Sequence, residues 1–128
     1  MSFALDIRRW ASQTKDRMQI IPRKTALEIL RRVVMRTPVD QGRARGNWQA
    51  STGSPIETEI ERADPDGGAT IEEAIPVIEG WEVENVAIYL SNNVPYIVPL
   101  EDGHSDQAPH GMVKITLAEF DEILEAVT

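Results

Sequence analysis

The densest group of chemically capable side chains is Glu101-Asp102-Gly103-His104-Ser105-Asp106-Gln107-Ala108-Pro109-His110. It holds both histidines of the 128-residue chain and three carboxylates. Two imidazoles with carboxylates form a donor set for a divalent metal. The spacing His-x5-His matches no established ligand spacing, and the glycine and proline break any helix that would align the donors. Ser105, either histidine and Asp106 supply the residue types of a nucleophilic triad. Adjacency in sequence is not triad geometry, which needs a base in hydrogen-bond reach, an orienting group and an oxyanion hole. The G-x-S-x-G elbow is absent. Paired carboxylates carry no glycosidase signal in a chain with 21 acidic residues. Gly42-Arg43-Ala44-Arg45-Gly46 lacks the glycine spacing of phosphate-binding loops. The absence of cysteine excludes disulfides, thiolate metal sites and thiol chemistry, and is compatible with a reducing cytoplasm. No catalytic residue, cofactor or metal is expected, and the protein is expected not to be an enzyme.

Charge offers a second line. The net charge of −8 is unevenly spread: residues 1–49 contain eleven of the thirteen Lys/Arg and four acids, a balance of +7 that leaves −15 for the rest. Either the charges are solvated faces, or a basic part of one copy docks on an acidic part of the next, as in a head-to-tail ring. A third reading is a nucleic-acid-binding module built on the basic helices. In it Arg43, Arg45 and Trp48 would neutralise and stack on a single strand. The acidic total and the single aromatic of that patch weigh against it.

The elements that must position these residues follow from periodicity. Phe3, Ile7, Trp10, Thr14 and Met18 share one helical face, so a helix is expected over 3–18 with Ser2 as its cap. Ile20-Ile21-Pro22 interrupts it, and Pro22 suits the first turn of a second helix over 23–36. Leu27, Leu30, Val33, Val34 and Thr37 give that helix its apolar face, and Thr37-Pro38 stops it. Pro38 to Gly42 is a turn. Strands are expected at 45–51, at 56–60 as an extension or partner, and at 85–91 as a buried central strand. Ala63 to Gly68 reads as an exposed, mobile loop, and Thr70 as the cap of a helix over 71–79 that contains Pro76. Residues 96–100 are ambiguous, 101–111 are loop, and 112–127 form a last helix with Leu117, Phe120, Ile123, Leu124 and Val127 buried. The expected class is α+β: N-terminal helices and a C-terminal helix packed on a small, mainly antiparallel sheet, in one domain spanning 1–128. No apolar run reaches the ~20 residues of a membrane span, and no targeting signal is visible.

Two segments are familiar together. Pro38-Val39-Asp40-Gln41-Gly42-Arg43-Ala44-Arg45-Gly46-Asn47-Trp48 resembles the P-V-D-T-G signature, continued by a basic, a polar and an aromatic residue, of the HK97-type phage neck and tail-completion proteins, with Gln41 where threonine is usual. Asn92-Asn93-Val94-Pro95-Tyr96, running on through Leu100-Glu101-Asp102-Gly103-His104-Ser105 to Gln107-Ala108-Pro109-His110-Gly111-Met112-Val113, is similar to that family's N-N-x-P-Y and L-E-x-G-x-S-x-Q-A-P-x-G-M-V stretch. Asp102 stands where an aromatic or small residue is common. The motifs keep the family's order and spacing, and with their flanking helices cover most of residues 25–125. The second is the more specific.

The resemblance implies a structural virion protein that forms a ring, expected to be hexameric, and joins the head's portal–adaptor stack to the tail. A minor tail component elsewhere is the alternative position. Its partners would be copies of itself, a head-side adaptor or connector, and tail-terminator and tail-tube proteins, with no membrane. DNA would pass through the lumen without specific binding, helped along if the acidic remainder lines it. Assembly would occur in the host bacterial cytoplasm. The loop that looks most like an active site is then a docking loop. Tyr96, Leu100 and Met112 are its expected apolar anchors, Glu101, His104 and Gln107 its polar contacts, and Gly103 and Pro109 its backbone constraints. Arg31 and Arg32 on the second helix, with Arg43, Arg45 and Trp48, are the remaining expected interface residues.

Overall fold

A computed structural model describes residues 1–5 and 15–128, with residues 15–19 described by their helical backbone only. The class is α+β, as expected. Chain order is β1 (Ser2–Leu5), α1 (Lys15–Arg36), α2 (Arg43–Gly46), β2 (Gln49–Thr52), α3 (Gly68–Glu79), a 3-10 turn (Val83–Asn85), β3 (Ile88–Ser91), α4 (Ile97–Glu101), α5 (Val113–Leu117) and α6 (Phe120–Val127). The three strands form one antiparallel sheet in the order β1-β3-β2, and Ser91 faces both Ser2 and Gln49 across the ladders. The strand expected at 85–91 is central, but it starts only at Ile88, after the 3-10 turn and Val86.

The N-terminus corrects the first helix. Ser2–Leu5 is a strand, and Ser2 does not cap a helix; its hydroxyl donates to the Ser91 hydroxyl at 2.7 Å. Met1, Phe3 and Leu5 alternate with the exposed Ser2 and Ala4, a period-two pattern concealed by the helical spacing of Phe3 with later apolar residues. Ile7, Trp10 and Thr14 lie outside the described residues. Pro22 does not start a new helix either. It lies buried inside α1, which runs unbroken from Lys15 to Arg36. The Met18 carbonyl loses its usual donor there, and α1 packs against α3, α5 and α6. The face of α1 that enters the core is Ala26, Ile29, Leu30, Val33 and Val34, with Leu27 half-buried.

The core closes between α1, α3 and the sheet around Trp48, Trp81, Ile78, Ile88 and Leu90, with Met112 and Ile123 from the C-terminal part. Phe3 meets Trp48 edge-on at a centroid separation of 6.1 Å. The last helix is broken in two at Ala118 and Glu119, and Leu117, expected on the buried face, is exposed. Residues 56–60 add no strand; amide side chains hold that segment, with Gln49 donating to the Thr58 carbonyl and Asn93 to that of Ile56, both at 2.9 Å. Among the described residues, no helix is long and apolar enough to cross a membrane.

Candidate interface groove

The first motif is built onto the end of α1. Thr37 donates to the Val33 carbonyl at 2.7 Å and accepts from the buried Trp48 indole at 2.8 Å. Arg45 gathers the helix's last carbonyls, donating to those of Met35 at 2.9 Å and Thr37 at 3.0 Å, and to Pro65 at 2.7 Å. A cation at that end also complements the helix dipole. Arg45 and Gly46, expected to open a strand, instead end the single helical turn α2, whose N-cap Gly42 has φ +90°. The strand begins only at Gln49.

The 63–68 segment is likewise ordered. The Asp64 carboxylate accepts both the Thr70 amide, at 2.8 Å, and the Thr70 hydroxyl, at 2.7 Å, while the Asp64 amide donates to the Gly42 carbonyl at 3.0 Å. Asp64, not Thr70, therefore satisfies the start of α3, and Gly67 occupies the N-cap.

The second motif folds back on itself around Glu101, which is 8% exposed. One oxygen of its carboxylate accepts the Met112 and Val113 amides at 3.0 and 2.9 Å; the other accepts the Lys114 amide at 3.0 Å. These are orphan donors at the start of α5, so Glu101 caps that helix from eleven or more residues away in sequence. Gly111, at φ +81°, lets the chain lie against Glu101: a Cβ there would come within 2.5 Å of the Glu101 carbonyl oxygen. Gly103, at φ +88°, is packed the same way against the Pro109 carbonyl. Residues 97–100, ambiguous in sequence, form α4 together with Glu101, which is therefore the last residue of a helix rather than the first of a loop.

Two ties join the motifs. The Gln107 side chain makes a paired contact with Val39, accepting its amide at 2.8 Å and donating to its carbonyl at 2.9 Å. The buried Asn92 donates to the Ala44 carbonyl at 2.7 Å. Between the joined segments lies a surface hollow of about 430 Å³. Its walls come from Pro38 to Ala44 on one side and Tyr96, Leu100, Ser105 and Gln107 on the other. A second hollow of about 590 Å³ adjoins it across Gln41 and Arg43 and is completed by Glu59 to Ala63. Arg43 stands between the two. Glu59 holds its guanidinium through contacts of 2.9 and 2.6 Å and a third, shorter one, and the guanidinium lies 5.6 Å from the centroid of the Tyr96 ring.

The expected interface residues thus divide. Trp48, Glu101 and Met112 are buried and cannot meet a partner; they are corrected from docking contacts to framework, because an indole, a helix-capping carboxylate and a thioether are each enclosed by the fold. Arg45, Gln107 and Gly103 also build the fold, though Gln107 reaches the groove wall. Arg43, Tyr96 and Leu100 line the groove. His104 and Pro109 are exposed on the loop beside it. Arg31 and Arg32 are elsewhere, on α1. Sequence reasoning missed Asn92 and Glu59. The first sits in the quoted N-N pair; the second carries no sequence signal.

Among the residues whose side chains are described, the arginines of the basic half are used within the chain. Arg31 and Arg32 bind Glu28, Arg32 and Arg36 bind Glu119, and Arg43 binds Glu59. Arg23 donates to the Trp81 carbonyl. The Arg36 hydrogen bonds, opposed by burial and reinforced by Arg32, bring the Glu119 carboxyl down to about 2. The described arginines of the basic half are therefore engaged, and Trp48 offers no face for a base to stack on. None of the described hydrogen bonds joins Ser105 to a histidine; its hydroxyl accepts the Gln107 amide at 3.2 Å. Among the described residues, no three of His, Asp and Glu gather in a way that could hold a metal ion. No protein-family model, curated protein or solved structure matches the chain.

Proposed function

We propose that the chain is a structural, non-enzymatic virion subunit of a tailed bacteriophage that works in a neck ring between the portal–adaptor stack and the tail. The observation that carries this reading is the convergence of the two motif segments. Residues 38–48 and 92–113, which together resemble the neck and tail-completion signature, are tied by the Gln107–Val39 and Asn92–Ala44 hydrogen bonds and wall one groove. A signature whose members build one another's geometry is harder to reach by chance than two unrelated turns. The groove is the surface through which the subunit meets a neighbouring ring. The buried core and the internally paired arginines suit a rigid ring component better than a nucleic-acid-binding arm.

Deleting the gene from the phage or prophage that encodes the chain tests this directly. The expected result is DNA-filled heads and separate, complete tails, with joining restored when the chain is supplied in trans. A tagged copy should label particles at the neck. Intact, infectious particles in the deletion strain would refute the assignment.

A further inference from the structure

The chemistry of the groove narrows what it binds. Arg43 and Tyr96 are both exposed, and Glu59 and the ring fix the guanidinium before any partner arrives. Preorganised tyrosine and arginine side chains are among those that most often carry binding energy at interfaces. The hollows beside them, about 430 and 590 Å³, are of a size that accepts protruding side chains, and Pro38, Val39, Ala44 and Leu100 give the first one apolar walls.

Charge sets the sign of the partner. The cation of Arg43 is matched by Glu59 and that of Arg62 by Glu73. Asp40 in the first hollow and Glu61 in the second are exposed and make no salt bridge among the described residues. Asp106, between Ser105 and Gln107 of the wall, is exposed as well. The uncompensated charge of this surface is therefore negative. Residues 50–128 of a second copy, at −15, bring like charge to it.

We infer that the Arg43–Tyr96 surface binds a segment of another protein that presents an apolar or aromatic side chain flanked by lysine or arginine. The inference rests on the neck reading only for where that protein is found; it would be a component of the adjoining ring.

The test uses the intact chain and a displayed library of random twelve-residue peptides. Selected peptides are then measured by fluorescence anisotropy at about 50 and 300 mM salt. The expected enrichment is an apolar or aromatic residue with Lys/Arg on its flanks, at Kd values of about 10–100 µM. Affinity should fall at least tenfold in the Asp40→Lys/Glu61→Lys double variant, in Tyr96→Ala and at the higher salt. The Asp121→Lys/Glu125→Lys variant, with the same charge change on α6, should stay within about twofold. Unfolding curves for each variant confirm that the fold is retained. No shared pattern, an acidic pattern, or affinity indifferent to Asp40→Lys/Glu61→Lys would overturn the inference. Enrichment of peptides resembling residues 6–17 of this chain would also overturn it, because the occupant would then be a second copy. Failure here, with heads and tails still unjoined in the deletion strain, removes the proposed partner chemistry and leaves the neck assignment standing. The opposite pair of results does the reverse.

Discussion

Glu101→Ala tests the construction of the groove at its most concentrated point. The wild-type carboxylate receives three backbone amides at 2.9–3.0 Å while 8% exposed. A hydrogen bond to a charged group is worth about 1.5–3 kcal/mol, and removing the acceptor leaves the donors unpaired. Full additivity is not expected, since water entering the vacated space satisfies part of the demand. The Met112 amide is buried and gains least from it. The expected loss is about 3–5 kcal/mol, a large share of the 5–15 kcal/mol typical of a domain. It corresponds to a fall in Tm of about 10–20 °C at this size. Glu101→Gln keeps an oxygen for Met112 and Val113 but turns an NH2 group toward the Lys114 amide, so about 1–3 kcal/mol is expected. Urea unfolding followed by tryptophan fluorescence gives both values. Hydrogen exchange at the Val39 amide should quicken in Glu101→Ala, because the loop that carries Gln107 is then unlatched. A loss below about 1 kcal/mol for alanine, or equal losses for alanine and glutamine, would refute the capping role.

Three further outcomes follow from single contacts. The buried Trp81 indole Nε1 has no hydrogen-bond partner among the described residues, whereas that of Trp48 donates to Thr37. Trp81→Phe should therefore stay within about 1 kcal/mol of wild type in urea unfolding, the small cavity offset by removal of the unpaired donor, while Trp48→Phe costs about 2–4 kcal/mol. Val86 is exposed at φ +68°, ψ −65°, with the Ala87 amide donating to the Asn85 carbonyl, a strained γ-turn for a β-branched residue. Val86→Gly should gain about 0.5–1 kcal/mol, read as a Tm rise of a few degrees. Glu119 titrates lower when folded than its ordinary 4.5, so its contribution is complete above about pH 4.5 and is lost as pH falls toward about 2. Glu119→Gln should lower stability by about 1 kcal/mol at neutral pH, a modest figure because the pair reaches solvent. That deficit should close as acid unfolding curves approach pH 2.

Patterns of apolar spacing revealed residues 23–36 of α1 and the central strand β3, each long or buried enough for one period to dominate, and cap and stop signals at Thr70 and Gly80 revealed residues 71–79 of α3. Short elements escaped. Ser2–Leu5 offers four residues, too few for its alternation to compete with the helical spacing of Phe3 and Ile7. The single turns α2 and α4 are set by tertiary hydrogen bonds rather than by periodicity. The break at Ala118 and Glu119 is similarly tertiary: Glu119 meets Arg32 and Arg36 across 87 and 83 residues of sequence. Such a partner leaves no local trace. The groove was half legible. Its residues were named because their motifs are recognisable, but sequence did not separate those that build from those that are presented. Trp48 and Met112 carry the side chains one expects at an interface and are wholly buried; Glu59, outside both motifs, attracts no notice and lines a hollow.

That separation bears on the family pattern itself. The positions through which the second motif resembles the neck signature include Asn92, Glu101, Gly103, Gln107 and Gly111. Asn92 and Gln107 hold the two segments together, and Glu101, Gly103 and Gly111 fold the second one back on itself. The two noted departures are Gln41, in place of threonine, and Asp102, in place of an aromatic or small residue. Both are exposed, and Gln41 lines both hollows. A fold-building position tolerates few residues, because a lost amide acceptor or an added Cβ costs several kcal/mol. A rim position is constrained by whatever docks on it. A chain that kept the first kind and changed the second would retain the groove and alter its selectivity, here through Gln41, since the Asp102 carboxylate lines neither hollow and pairs with Lys114 at 3.9 Å. Gln41→Thr and Asp102→Ala, which introduce residues usual in the signature the chain resembles, should therefore leave urea stability within about 0.5 kcal/mol of wild type, while changing affinity for the selected basic peptides several-fold through Gln41. Unchanged peptide affinity would show that these departures are neutral, and a large loss of stability would place them among the residues that build the groove.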